Sequence, residues 1–350
     1  MKGIFIPIFV SFVLIFVACS KDDSSDNGNP KSLKSVKIAY VNWIGETIAT
    51  NIVRVVFERI GYNVEILPVT TSIMYQYLAS GRVDGMVSAW VPTADKFYYE
   101  KFKDKFVDLG ANYEGTLQGF VVPSYVTISS ISELKGRGSE FKNKMIGIDA
   151  GAGTQLSVEE TLNRYGLNEE YELISSSESV MLASLESAIN KQEWILVPLW
   201  QPHWAFVKYD IKFLDDPLLS MGGPESIHSL VKLGLQESDP DAYYLFDNFY
   251  WGDDLLLPLI EKNYKEPGQE YKNAVEFVDS HKDYIKIGFQ INIKIYLINL
   301  VLNSFNEFNI GFLVGSDSQP PLKSALHLII LSVIRIKAVK ILYFFKQLSA

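Results

Sequence analysis

The chain has 350 residues, enough for two packed domains or one large one. Its 13% aromatic and 21% charged content marks it as globular rather than disordered. A net charge of −9 argues against a nucleic-acid partner and leans toward a cationic or neutral ligand, and a single cysteine leaves no intramolecular disulfide and no cysteine metal cluster.

Residues 1–18 read as a signal peptide: Lys2 is a short basic region, and an apolar core follows over 4–18. Ala18 precedes Cys19, and a small residue before the chain's one cysteine resembles a bacterial lipobox, although Phe16 stands where an aliphatic is usual. That resemblance implies cleavage before Cys19, lipidation of its thiol and attachment to a bacterial membrane, on the periplasmic side or at the cell surface. An ordinary signal peptide with an incidental cysteine is the simpler alternative. Residues 20–35, SKDDSSDNGNPKSLKS, are polar and low in complexity, and with Cys19 they read as a flexible tether over 19–35. The SKDD after the cysteine resembles a short surface-export signal.

From Val36 the chain alternates strand and helix. VKIAYV is a strand with NWIGET as its exit loop, 49–61 has apolar residues at helical spacing, and 63–69 is a second strand. A helix over 72–80, a strand over 83–90 and a helix over 94–106 complete a β-α-β-α-β unit, which implies a mostly parallel sheet. Residues 117–126 read as a strand leaving this lobe for the next. A second unit repeats the plan: strands at 144–150, 171–176 and 194–200 alternate with helices at 155–166 and 178–191, and 211–216 is a further short strand. Residues 224–285 contain helical patterns rich in Tyr and Phe that return to the first lobe.

The expected fold is therefore α/β and two-lobed. Residues 36–120 and 225–285 make lobe 1, 121–224 make lobe 2, and the ligand cleft between them closes by hinge motion. Residues 286–350 depart from this grammar, with Glu307 and Asp317 their only acids. LHLIILSVI at 326–334 is apolar, but Arg335, Lys337 and Lys340 interrupt it short of the roughly 20 residues of a membrane span. This end reads as an interfacial helix or, preferably, as sequence that is not part of the domain.

Three tryptophans carry the functional argument. Trp90 in SAWVPT and Trp200 in PLWQPHW each end an apolar run, with a proline two positions on; Trp43 follows the first strand. Trp43 and Trp90 are 47 positions apart, as are Gly153 and Trp200. Open α/β sheets bind ligands beyond the carboxyl ends of their strands, where such residues lie. Singly, each tryptophan reads as core; at matched positions they read as a cage. An indole face is the best side-chain partner for a cation, and a quaternary ammonium has no N–H left unsatisfied there. GAGT at 151–154 follows a strand and opens a helix, so its N–H groups point at an anion. It is neither a P-loop nor a G-x-S-x-G elbow, and alone it reads as a plain turn. A methylated cation and a carboxylate in one site describe a betaine.

Residues 36–285 resemble the glycine betaine/proline betaine substrate-binding proteins of ABC importers. The resemblance rests on VNWIGETIATN (41–51), SAWVPTADK (88–96), LQGFVVPSYV (117–126), IGIDAGAGT (146–154), SSSESVMLASLESAI (175–189), LWQPHWAFVKYDIKFLDDP (199–217) and IHSLVKLG (227–234). It implies the type II-like periplasmic-binding-protein fold, a cage of Trp43, Trp90 and Trp200 around the trimethylammonium group, and backbone N–H groups of Gly153 and Thr154 on the carboxylate. It also implies delivery to a membrane permease driven by a separate ATPase, with no cofactor and no catalysis. One position departs: five residues after the SAW tryptophan, where these proteins commonly place a histidine on the ligand carboxylate, this chain has Asp95. An ionised Asp95 would repel a carboxylate, so choline, whose binders keep an aromatic cage, is the alternative ligand.

Other residues weigh less. His203 beside Trp200 is a candidate ligand contact, but a structural hydrogen-bonder at the WQPHW corner is the better reading. Glu46 and Asp149 lie near the expected cleft, where they tune its charge or cap backbone. His228 and His281 have no metal-ligand spacing. Trp194, Trp204 and Trp251 are assigned to packing. The rivals are an enzyme acting on a quaternary amine, which would need a nucleophile–base pair that no motif supplies, a receptor fused to its own permease segment, and an adhesion or scavenging lipoprotein.

Overall fold

The computed structural model describes residues 34–281. Cys19, the signal peptide, all but the end of the tether and the atypical 286–350 tail lie outside the described residues.

Strand β1 (Ser35–Tyr40) enters the core with Val36 and Ile38 fully buried, then turns into α1 (Ile44–Arg59). The apolar residues of α1 recur at helical spacing, and Ile48, Ile52, Val56 and Phe57 are all buried. Strand β2 (Asn63–Pro68), helix α2 (Thr71–Ala79), strand β3 (Gly85–Val91) and helix α3 (Lys96–Phe102) follow, and β1 pairs in parallel with both β2 and β3. The helix expected over 94–106 is shorter, because 106 already belongs to the next strand.

That strand, β4 (Phe106–Pro123), is the longest in the described residues and joins the two halves of the molecule. Its first half pairs antiparallel with β9 (Glu225–Lys232), which lies against β3. Its second half pairs with β7 (Val197–Gln201) and β8 (Ile211–Phe213). Between the second half of β4 and β7 lie the parallel pair β5 (Lys144–Ile146) and β6 (Glu172–Ile174) with the helices α4 (Gly153–Arg164) and α5 (Glu178–Asn190). The short α6 (Ala205–Lys208) follows β7. Residue Ile146 of β5 donates its N–H to the carbonyl of Leu196, next to β7, which ties the small pair to the rest. After β9 come α7 (Leu235–Ser238), α8 (Pro240–Asp247), α9 (Asp253–Lys265) and α10 (Glu270–Ser280), which cover α1 and the first half.

The sheet order is β2-β1-β3-β9-β4-β7, with β8 also on β4. The molecule is two-lobed and α/β, with β4 and β9 carrying the chain between lobes. Two strands, β4 and β9, extend beyond what the sequence pattern predicts. The first half of β4 does not show as a strand in the sequence because Gly110 and Gly115, at φ +91° and +85°, interrupt it with bulges. Strand β9 was hidden among helical patterns because polar groups break its apolar alternation. His228 bonds Asp108 at 2.8 Å, and Ser229 accepts from Asn112 at 3.0 Å. Each lobe thus mixes parallel and antiparallel strands. Close packing sits at the centre of the first lobe: Phe57 contacts the rings of Tyr62 and Phe246, and a Cβ on Gly85 of β3 would stand 2.6 Å from Phe246 Cζ.

Candidate functional site

All three tryptophans sit where strands give out. Trp43 lies between β1 and α1, its N–H bonded to the carbonyl of Val41 at 2.8 Å; Trp90 and Trp200 stand one residue from the ends of β3 and β7. The following Val91–Pro92 and Gln201–Pro202 bonds are both cis. The rings of Trp43 and Trp200 lie 5.7 Å apart and tilted by 41°. Trp43 and Trp90, both half-buried, pack against the apolar cluster of the second lobe that contains Trp200. Thus one first-lobe indole meets the second-lobe indole ring to ring, and the other packs against the same cluster. Trp43 also donates its indole N–H to Asp149 Oδ2 at 3.1 Å, across the cleft. The indole nitrogen of Trp90 is buried and has no hydrogen-bond partner among the described residues.

The GAGT turn faces them. Gly151 takes φ +81°, Ala152 bonds back to Asp149 at 2.9 Å, and α4 begins at Gly153. Gln155 folds back onto the incoming chain, accepting from Ile148 N at 2.9 Å and donating to Ser175 at 3.2 Å. This leaves the first N–H groups of α4, those of Gly153 and the buried Thr154 among them, without intrahelical partners at the positive end of a helix dipole.

Asp95 is buried and turned inward. Its Oδ2 accepts the N–H of Trp90 at 3.0 Å and the hydroxyl of Tyr75 at 3.2 Å. Burial pushes its carboxyl up to about 7, against the pull of those two bonds and with a further push from Glu225. Its Oδ1 faces the start of α4, 2.7 Å from where a Gly153 Cβ would stand. Asp95 therefore closes the 90–95 turn. Glu225 closes it from the other side, accepting the N–H groups of Thr93 and Ala94 at 2.8 and 3.0 Å. Sequence reasoning missed Glu225, whose partners lie more than 130 positions away.

Glu46 accepts the N–H of Val41 at 2.9 Å and is buried, which holds its carboxyl well above the usual range. It braces the loop that carries Trp43. His203 has no accessible side-chain surface, and both ring nitrogens are engaged: Nδ1 accepts from Ala205 N at 3.0 Å, so Nε2 carries the proton toward Glu178 Oε1 at 3.0 Å. Its ring meets Trp200 edge-on at 5.3 Å. It supports the indole from behind. Trp204 stacks on Tyr264 at 3.8 Å, Trp194 packs on Phe141, and Trp251 is buried in the first lobe.

The two lobes touch around this site. Tyr98 of α3 donates to the carbonyl of Gly151 at 2.5 Å, and a Cβ on Gly153 would stand 2.0 Å from the carbonyl oxygen of Ala94. At this junction Asp149 accepts from Trp43, Asp95 and Glu225 brace the 90–95 turn, Glu46 braces the loop before Trp43, and Glu178 bonds His203 behind Trp200. This arrangement suits a compact organic cation that also carries an anionic or polar tail.

Comparison with known proteins agrees with that chemistry. Residues 34–280 match the family described as the substrate-binding domain of the ABC-type glycine betaine transport system, OpuAC. The chain is 74% identical to the glycine/betaine/L-proline-binding protein ProX from Borrelia burgdorferi, covering 72% of this chain and 96% of that one with a TM-score of 0.72. It is 32% identical to lactococcal OpuAC in a closed, liganded conformation complexed with glycine betaine, covering 73% and 99% with a TM-score of 0.70. It is 37% identical over 139 residues to the glycine betaine/carnitine transport binding protein GbuC of Listeria monocytogenes serotype 1/2a (strain 10403S). That match covers 39% of this chain and 46% of the relative, about half the relative's length. The chain belongs to the family of substrate-binding domains of ABC-type glycine betaine transport systems.

Proposed function

We propose that this protein is the extracytoplasmic receptor that captures glycine betaine, or a close quaternary ammonium relative such as proline betaine, and delivers it to an ABC permease powered by a separate ATPase. The observation that carries this reading is the meeting of Trp43, Trp90 and Trp200 beside the start of α4. The three indole faces hold the trimethylammonium group, and the backbone N–H groups of Gly153 and Thr154 hold the carboxylate. A desolvated cation–π contact is worth about 2 kcal/mol, so three supply roughly 6 of the ~8 kcal/mol that micromolar affinity requires. The helix-end hydrogen bonds, being charge-assisted, supply the remainder. No catalytic step belongs to this reading.

The lobes formed by 36–120 with 225–285 and by 121–224 close around the ligand as bodies hinged at β4 and β9. Cleavage before Cys19 and lipidation of its thiol hold the receptor to the membrane through the 19–35 tether.

Choline is the second reading, on one observation. Asp95 Oδ1 already faces the end of α4 that would hold a ligand carboxylate, and choline needs no carboxylate partner. Calorimetric titration of the purified protein with glycine betaine and with choline separates the two. Tight betaine and weak choline binding is the expected result. The reverse would assign the site to choline, and binding of neither would remove the cage.

A further inference from the structure

Asp149 stands in the loop between β5 and α4, in the second lobe, yet its side chain serves a tryptophan of the first. Its Oδ2 lies 3.1 Å from the indole nitrogen of Trp43, a residue 106 positions earlier in the chain. We propose that Asp149 is a positioning residue of the cage, which fixes the plane of Trp43 only when the lobes meet and so couples closure to assembly of the binding site. This rests on the cage reading above.

The geometry supports it in three ways. First, an indole has a single N–H donor and no acceptor, so one bond at its edge, together with the contact to Trp200 at 5.7 Å, determines how the ring is turned. Second, the acceptor is held rigidly. The carbonyl of Asp149 accepts from Ala152 N at 2.9 Å, and its neighbour Ile148 donates to Gln155 at 2.9 Å and accepts from Ser176 N at 3.1 Å. Such backing is what keeps a binding group in place. Third, the same loop touches the first lobe again at Tyr98 to Gly151 and at Gly153 to Ala94. The Trp43–Asp149 bond is therefore one of a set of contacts that join the two lobes at this loop. Among the described residues no lysine or arginine forms an ion pair with Asp149, so the indole N–H is its charge-stabilising partner.

The energetic consequence is directional. In an open protein the Trp43 ring rests on the first-lobe cluster around Val41 and Met74 but lacks its bond to Asp149 and its contact with Trp200, and the ligand meets a partly formed cage. Closure brings the acceptor, the indole edge is fixed, and the bound cation is held. Loss of Asp149 thus leaves association nearly unchanged and speeds release, the usual place for differences among variants of one site.

The test uses the full-length protein, glycine betaine as probe, and two variants. Stopped-flow tryptophan fluorescence reads association and release, and calorimetry reads Kd. Asp149→Ala is expected to weaken binding tenfold or more, mostly through faster release. Asp149→Asn keeps an oxygen that accepts the indole N–H, and is expected to recover at least threefold of that loss. The ligand-free unfolding midpoint is expected to stay unchanged in both. Asp149→Ala within twofold of the parent, or Asp149→Asn no tighter than Asp149→Ala, would overturn the positioning role. If Trp90→Ala loses affinity while Asp149→Ala keeps it, the cage stands and Asp149 has no part in it. A parent protein that fails to bind any quaternary amine removes the cage and this proposal together.

Discussion

Gly153 and Ala94 meet across the cleft so closely that a methyl group on Gly153 would stand 2.0 Å from the Ala94 carbonyl oxygen and 2.7 Å from Asp95 Oδ1. The nearest atom is backbone, held in a turn that Asp95 and Glu225 both brace, so it cannot swing aside as a side chain would. Glycine is required here for close approach. Gly153→Ala is expected to leave each lobe folded but to keep the first turn of α4 off the 90–95 turn. Affinity for glycine betaine then falls at least tenfold, about 1.4 kcal/mol, with the ligand-free unfolding midpoint nearly unchanged. Calorimetry and thermal unfolding check this pair of outcomes; parental affinity would mean that α4 and the turn need not meet for binding.

Asp95 gives a pH dependence with a definite sign. Burial raises its carboxyl to about 7 in the folded protein, against about 3.9 in an unfolded chain. Between those values the folded state holds a proton that the unfolded state has lost. The stability due to the neutral form is full below about pH 4 and disappears as pH rises through about 7. Asp95→Asn cannot ionise and keeps an acceptor for the Trp90 N–H. From pH 5 to pH 8 the stability difference should therefore move in favour of the variant, by up to roughly 3 kcal/mol. Glu46 and Glu225, also raised by burial, remain in both proteins and largely cancel. Urea unfolding of parent and variant at the two pH values measures the shift. A difference independent of pH would mean that Asp95 ionises as an ordinary surface carboxyl does.

A tighter test of packing lies in the first lobe. Phe246 of α8 is fully buried with its ring over Gly85 of β3, 2.6 Å from the position of a Cβ. Gly85→Ala should destabilise the protein by about 1–3 kcal/mol through overpacking. Phe246→Leu in the same chain, which withdraws the ring, should relieve part of that cost. Two single variants and the double variant in urea complete the cycle; strict additivity would show that the ring and the strand do not press on each other.

What was legible in the sequence follows the range over which residues cooperate. Trp90 and Trp200 announced themselves locally, each at the end of an apolar run with a proline two positions on, and the GAGT turn sat between a strand and a helix. The strands β1, β2, β3 and β7 are readable because apolar residues dominate each of them, with single polar residues such as Lys37, Glu65 and Ser88 among them. Strand β9 was not, since His228 and Ser229 satisfy their polar atoms on β4, more than 100 positions away. The carboxylates divide in the same way. Asp95 drew notice as a departure from the family pattern, but its bond to Tyr75 and its place against α4 appear only in three dimensions. Glu225 gave no local signal at all. The described residues therefore carry a site whose aromatic part was written in short motifs and whose acidic framework was not.

The two first-lobe indoles differ in one respect that mutation can exploit. The indole N–H of Trp43 is bonded to Asp149 at 3.1 Å, whereas the indole N–H of Trp90 is buried with no partner among the described residues. Replacing either by alanine removes an aromatic face and should weaken binding tenfold or more. Replacement by phenylalanine keeps a face but deletes the N–H. At Trp90 that deletion sacrifices no hydrogen bond, and it removes a buried donor whose desolvation is uncompensated. At Trp43 it breaks a bond and leaves Asp149 without its partner, at a cost of about 0.5–1.5 kcal/mol or more. Trp43→Phe should therefore bind glycine betaine roughly three- to tenfold more weakly than Trp90→Phe, although both carry the same ring in the same cage. Equal losses would mean that the indole N–H of Trp43 contributes nothing to holding the ligand, and that face area alone sets the strength of each wall.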